Sequence, residues 1–138
     1  MNADLTRQTN SSLKSPAIPA SLSDLIDKLE ELQPTKPSQV VSILKELDIA
    51  EEDLLPFADF NHSPEDSYGR KMVYKGANFE VMVMSWNKGD FSAIHDHGFT
   101  QWGAVKIFGR AEHATFRWED ENLSTLARWQ VDKGDILG

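Results

Sequence analysis

A chain of 138 residues is long enough to form one domain with a buried core, and its hydrophobic (40%) and charged (26%) fractions are ordinary for a soluble globular protein. The formal net charge of −8 argues against a nucleic-acid partner, because neutralising phosphates requires clustered Lys and Arg. The absence of cysteine excludes disulfides, iron–sulfur clusters and a cysteine nucleophile, so any metal must be bound by His, Asp or Glu.

The first segment, residues 1–20, is rich in Ser, Asn, Thr and Pro and is predicted to be a disordered tail. It has no apolar signal core, and no window of the chain approaches 18 apolar residues. We therefore expect no membrane partner and a cytoplasmic protein, with a monomer as the default oligomeric state.

Residues 21–56 are predicted to form a small helical preface. Ser21 to Asp24 offers a helix cap, and Leu residues with one Ile follow at helical spacing until Pro34 breaks the pattern. A second helix is expected to begin near Pro37, and a short third one would run from Asp48 to Leu55, ended by Pro56.

From Arg70 onward the hydrophobic period changes to two, which indicates strands separated by short turns. The predicted strands are Lys71–Lys75, Phe79–Trp86, Thr100–Phe108, Arg110–Trp118 and Leu126–Val131. Gly109 is expected to close a hairpin between the third and fourth of them. The pattern predicts a mainly β sandwich or jelly-roll barrel over residues 21–138, with the four tryptophans in its core or at strand ends.

The most informative segment contains His95 and His97. In an extended chain alternate side chains share a face, so these two imidazoles point the same way and can chelate one metal ion. Imidazole suits Fe, Zn, Cu and Ni alike, and the same pair also fits two surface histidines on an edge strand. His62 lies in a polar loop and is expected to be solvated, whereas His113 is a weaker candidate ligand on the next strand.

This segment resembles the first metal motif of the cupins. Gly89, His95, His97 and Gly109 fit its spacing, and Trp102 stands where most cupins have a Glu ligand. The cysteine dioxygenase family lacks that Glu, and it is similar to this chain over the longer stretch from Trp86 to Gly109. The resemblance implies a cupin-type jelly-roll barrel and an Fe(II) centre bound by histidines alone.

The same resemblance implies an activity and a substrate site. Family members add both atoms of O₂ to the sulfur of a small thiol, here L-cysteine, giving cysteine sulfinic acid. Tyr68-Gly69-Arg70 matches the family's Tyr-x-Arg, so Tyr68 and Arg70 are expected to bind substrate, with Arg70 pairing with the cysteine carboxylate. Relatives that prefer 3-mercaptopropionate tend to have Gln at the position of Arg70. An ordinary surface arginine in a loop is the other reading of Arg70.

The chain departs from the family in two ways. The third histidine is absent, and Gly134 to Gly138 resembles the approach to it, so we expect that ligand past Gly138 and a domain incomplete at its C-terminus. Trp102 also replaces the cysteine that animal members crosslink to a tyrosine. Two readings besides an enzyme therefore stay open, a non-catalytic cupin binding module and an inactive truncated fragment. The alternative substrate, 3-mercaptopropionate, stays open as well.

Overall fold

The computed structural model describes residues 18–32, 36–93, 95 and 103–138. Most of the predicted tail, and also His97 and Trp102, lie outside these residues. The chain folds as two compact units, one containing residues 1–34 and 47–98 and the other containing residues 35–46 and 99–138.

The first unit begins with helix α1, Ala20–Glu30. Its apolar positions recur every three or four residues, and the face they form is buried, as the spacing predicts. The buried side chains are Leu22, Leu25, Ile26 and Leu29. The predicted cap is wrong, because Pro19 is the N-cap residue and the Ser21 hydroxyl instead donates to Asp53 Oδ2 at 2.6 Å.

The predicted third helix is a 3-10 helix, Glu51–Phe57, that packs against α1. Pro56 lies inside it rather than ending it. A 3-10 turn is short and tolerates a residue without an N–H, since few of its backbone donors have partners within the helix. The apolar spacing alone could not distinguish this turn from an α-helix.

Strands β1, Gly69–Lys75, and β2, Glu80–Ser85, form an antiparallel pair with a bulge between Met72 and Tyr74. Val73 and Tyr74 are buried there. The Tyr74 hydroxyl donates to Glu30 Oε1 at 2.9 Å, which ties the end of α1 to the sheet. Burial, followed by the neighbouring Glu30 carboxylate, raises the pKa of Tyr74 and keeps its hydroxyl a donor.

The second unit contains helix α2, Pro37–Glu46, which buries Val40 and Leu44. It packs against β6, Ile136–Leu137, which pairs antiparallel with β3, Val105–Lys106. Lys106 Nζ donates to the carbonyl oxygen of Leu44 at 2.9 Å. This contact satisfies a carbonyl in the last turn of α2 and places a positive charge at the negative end of the helix dipole.

The pairing of β3 corrects the predicted hairpin at Gly109. In the described part of 100–108 only Val105–Lys106 is a strand, and its partner is β6 instead of the next strand along the chain. Strand β4, Ala111–Glu119, pairs with β5, Asn122–Val131. Local alternation predicts strands well, but the partner of a strand depends on contacts distant in sequence.

The β4–β5 hairpin turns at Asp120 and Glu121, whose φ angles of 51° and 61° fit a two-residue turn with both central residues left-handed. Trp118 is 70% exposed beside this turn. Trp86 and Trp129 are also exposed, so the expectation of a tryptophan core is wrong for these three residues. Trp86 does occupy a strand end, immediately after β2.

In the part of the chain that the structure describes, six strands and three helical segments confirm a β-rich chain with a helical segment ahead of its strands. Over the residues that the structure describes, the strands form three two-stranded sheets and do not close a barrel. None of the described helices is long and apolar enough to cross a membrane.

The buried face of α1 can be tested by truncating Ile26, which is 1% exposed. Ile26→Ala should lower the free energy of unfolding by roughly 2–5 kcal/mol, because it removes buried apolar surface and leaves a cavity. Urea unfolding followed by tryptophan fluorescence measures this change. Leu55→Ala is the matched control: Leu55 is 65% exposed, and its truncation should cost less than about 0.5 kcal/mol. Equal losses in both variants would contradict the packing described for α1.

Candidate metal and substrate site

The predicted substrate residues lie where the loop after the 3-10 helix enters β1. The backbone N–H of Asp59 donates to the hydroxyl of Ser85, at the end of β2, at 3.1 Å. Ser85 is buried, and so is Gly69 at the start of β1. A Cβ atom on Gly69 would overlap the Asp59 carbonyl oxygen, so this close backbone approach requires glycine.

Tyr68 stacks on Trp86, with ring centroids 4.8 Å apart and an angle of 22° between the ring planes. The two residues come from the ends of adjacent antiparallel strands, because Tyr68 precedes β1 and Trp86 follows β2. Stacking of this kind restrains both side chains. Tyr68, the first residue of the Tyr-x-Arg motif, therefore lies against Trp86.

Arg70 is the second residue of β1, paired with Met84 across the ladder, so its placement in a loop is wrong. Its Nε lies 3.1 Å from Met82 Sδ. The side chain is exposed, and among the described residues no carboxylate lies within ion-pair distance of its guanidinium. A guanidinium whose described contact is a weak thioether acceptor remains able to bind a carboxylate with two hydrogen bonds.

Sequence reasoning missed the methionines that share a face with Arg70. Because cross-strand partners lie on the same face, Met72, Met82 and Met84 all lie on the Arg70 side of the β1–β2 ladder. Thioether side chains are polarisable and adapt their shape, which suits a surface that contacts an apolar or sulfur-containing ligand. The alternation of methionines in β2 was the signal for this face.

His95, the first predicted metal ligand, is exposed, and its Nδ1 lies 2.6 Å from the carbonyl oxygen of Ala93. A carbonyl can only accept, so Nδ1 carries the proton, and the lone pair of the neutral ring is on Nε2. Metal-binding histidines commonly donate their other ring N–H to such a backbone oxygen, which fixes the tautomer and the ring direction. The contact with the Ala93 carbonyl thus fixes the direction of the His95 ring.

The second predicted ligand, His97, lies outside the described residues, as does Trp102. Within the described ranges no group of three or more His, Cys, Asp or Glu is arranged to hold a metal ion. His113, the weaker candidate, lies on β4 with its ring against Trp129, at a centroid separation of 4.9 Å and an angle of 66°. That contact gives His113 a packing role.

His62 was expected to be solvated, and that expectation is wrong. Only 9% of its side-chain surface is exposed, and its Nε2 lies 2.8 Å from Asp90 Oδ2. Its Nδ1 lies 3.0 Å from the carbonyl oxygen of Ser63. Asp90 Oδ2 also accepts the backbone N–H of Asn87 at 2.8 Å, while the Asn87 amide Nδ2 donates to the carbonyl of Phe60 at the same distance.

The electrostatics of this pair are reciprocal. The hydrogen bond to Asp90, followed by that to the Ser63 carbonyl, raises the pKa of His62 above its ordinary value. The hydrogen bond from His62, followed by that from the Asn87 backbone, lowers the pKa of Asp90. Both shifts favour the charged pair, as expected for groups that hydrogen-bond in their ionised forms.

These features lie in a chain with clear relatives. A model of the family "Cysteine dioxygenase type I" matches residues 10–133. The chain belongs to the cysteine dioxygenase type I family. Cysteine dioxygenase type 1 from Homo sapiens is 25% identical over 111 residues, covering 80% of this chain and 56% of that protein. The Danio rerio protein is 26% identical, covering 78% of this chain and 54% of its own length.

Membership of the cysteine dioxygenase family confirms the resemblance carried by the Trp86–Gly109 stretch. The match also extends over most of the helical preface and through β5, far beyond the metal motif. The chain spans about half the length of the curated relatives it matches, with 56% of the Homo sapiens protein aligned. The family assignment thus rests on the whole described scaffold and not on two histidines alone.

The close approach at Gly69 gives a direct test of the scaffold beneath Tyr68 and Arg70. Gly69→Ala should lower the free energy of unfolding by roughly 1–3 kcal/mol, because the new methyl group forces apart the Asp59 and Gly69 backbones. Thermal unfolding followed by circular dichroism measures the loss. Gly103→Ala is the matched control, because a Cβ atom there meets no heavy atom within 4 Å. A Gly69→Ala variant as stable as Gly103→Ala would refute the contact.

Proposed function

We propose that this protein is an Fe(II)-dependent thiol dioxygenase that oxidises L-cysteine to cysteine sulfinic acid with O₂, on a cupin-type jelly-roll barrel. The observation that carries the proposal is the family match over residues 10–133, which includes the histidine pair and the Tyr-x-Arg segment. The hydrogen bond from His95 to the Ala93 carbonyl supports it, since metal-binding histidines commonly donate one ring N–H to a backbone oxygen.

The predicted ligands are His95 and His97. Bound iron would supply the redox chemistry that lets O₂ add both its atoms to the thiolate sulfur. Neutral imidazoles suit this role because they leave the charge of the centre to be balanced by the anionic thiolate. The Ala93 carbonyl fixes the direction of the His95 ring, so the ligand is oriented before the metal binds.

Arg70 is proposed to bind the substrate carboxylate and Tyr68 to help define the same pocket. The guanidinium fork matches a carboxylate with two parallel hydrogen bonds, which orients the substrate as well as attracting it. This local positive charge matters in a chain with a net charge of −8, whose overall field repels anions. The thioether side chains beside Arg70 would contact the carbon and sulfur atoms of the substrate.

The first prediction of this proposal concerns iron. The chain as it occurs in cells, including any residues that follow Gly138, should bind close to one Fe(II) and consume O₂ when L-cysteine is added. Cysteine sulfinic acid should appear in step with the oxygen consumed, as measured by mass spectrometry. His95→Ala should abolish both iron binding and oxygen uptake, because it removes a ligand.

His113→Ala provides the comparison for this experiment. It should retain iron, since His113 packs against Trp129. Loss of iron in this variant would make His113 a ligand. Failure of the wild-type chain to bind iron would leave the non-catalytic cupin module as the better reading.

The second prediction concerns the carboxylate. Arg70→Gln should raise the KM for L-cysteine by roughly 10- to 100-fold, the size expected for losing a charge-assisted bidentate contact. Oxidation of cysteamine, which has no carboxylate, should be much less affected. Arg117→Gln is the matched control, since Arg117 is an exposed arginine on β4, 3.5 Å from Glu119. An unchanged KM in Arg70→Gln would remove Arg70 from the substrate site.

A further inference from the structure

The loop containing Asp59 to His62 makes three hydrogen-bond contacts with the end of β2 and the turn that follows it. The Asp59 N–H donates to Oγ of Ser85, the last residue of β2, at 3.1 Å. In the turn, Asn87 Nδ2 donates to the Phe60 carbonyl at 2.8 Å, and Asp90 Oδ2 lies 2.8 Å from His62 Nε2. The turn itself is closed by Asp90 N–H to the Asn87 carbonyl at 2.9 Å. Asp90 therefore takes part both in closing the turn and in the contact with His62.

The surroundings of His62 select one protonation state. Its Nε2 faces a carboxylate oxygen of Asp90, and its Nδ1 faces the carbonyl oxygen of Ser63. With Asp90 ionised, both oxygens are acceptors, so both contacts are hydrogen bonds only when both ring nitrogens carry a proton. Neutral His62 has one N–H and must give up one of the two bonds.

We propose that His62, as an imidazolium, is a positioning residue: it clamps the Asn87–Asp90 turn to the 59–62 loop and thereby orients the segment that leads to His95. Asp90 is five residues ahead of His95, so the clamp fixes the chain close to where the predicted metal ligand begins. The metal-related part of this inference rests on the proposed function. The clamp itself is a property of the apoprotein.

The sign of the pH dependence follows from the two shifts. The pKa of His62 is raised, so its contribution is fully present below the ordinary value near 6.5 and is lost as pH rises through the raised value. The pKa of Asp90 is lowered, so its contribution is present above about 3.9 and is lost as pH falls through the lowered value. The charged groups acting on His62 are Asp90, from the turn, and Asp59, from its own loop, both carboxylates. The clamp is therefore complete between about pH 4 and 6.5 and weakens as the pH rises through the raised pKa of His62.

Amide hydrogen exchange on the metal-free full chain tests the clamp. At pH 6 the Asn87 amide, which donates to Asp90 Oδ2, should exchange roughly tenfold faster in His62→Gln than in the wild type, once corrected for intrinsic rates. This difference should shrink as pH rises through the His62 titration. The Gly76 amide, which donates to the Phe79 carbonyl at the opposite end of the β1–β2 pair, is the internal reference. Equal protection of Asn87 in both proteins at pH 6 would overturn the clamp.

NMR titration of the His62 ring supplies a second measurement that needs no destabilising variant. The wild-type ring should titrate above 6.5, and Asp90→Asn should bring the midpoint back toward that value, because the amide keeps the oxygen but removes the charge. A wild-type midpoint at or below 6.5 would overturn the proposal.

Metal affinity separates the positioning role from the proposed function. The ratio of Fe(II) dissociation constants, His62→Gln over wild type, should be several-fold at pH 6 and approach one at a pH well above the titration midpoint measured for the His62 ring, because protonation of the ligands affects both proteins equally. A ratio of one at both pH values, in a wild type that binds iron and oxidises cysteine, would overturn the positioning role alone. A wild type that binds no iron would refute the proposed function and the positioning role, while the exchange data would still decide the clamp.

Discussion

The backbone of Asp59 is held from both sides, and the geometry of the candidate site follows from this constraint. Its N–H donates to the buried Ser85 hydroxyl, while its carbonyl lies against Gly69, where a side chain would not fit. One residue outside the ladder thus contacts both the end of β2 and the beginning of β1. Tyr68 and Trp86, the residues flanking this junction, can stack because their strand ends are fixed relative to one another.

The helical segment supports this junction from the other end of the first sheet. Helix α1 buries four apolar side chains, each worth roughly 1.5–3 kcal/mol of burial, and the Tyr74–Glu30 hydrogen bond ties its last turn to β1. Close to the helix start, the Ser21 hydroxyl binds Asp53 of the 3-10 helix. Helix α1 and the 3-10 helix are therefore a structural base for the β1–β2 pair. The family match also begins ahead of the strands, at residue 10.

In the first unit, one candidate metal ligand and one candidate substrate-binding cation lie in neighbouring segments of the chain. His95 is directed by the Ala93 carbonyl, and Arg70 lies among thioether side chains that compete weakly for its hydrogen bonds. Between the two in sequence, the Asn87–Asp90 turn carries the His62 contact. The residues proposed for substrate recognition and for metal binding therefore lie on either side of this turn.

The sequence by itself determined the family, the helical preface, most strand positions and the residues proposed for chemistry. These features depend on local periodicity and on residue types at fixed spacing, and both can be identified in the sequence before the fold is known. It could not identify the partner of β3, the exposure of Trp86, Trp118 and Trp129, or the low exposure of the His62 side chain. These properties depend on which distant segments meet: β6 pairs with β3, and Asp90 approaches His62 across 28 residues. Only the tertiary structure decided them, because a hydrogen-bond partner so distant in the chain leaves no periodic trace in the sequence.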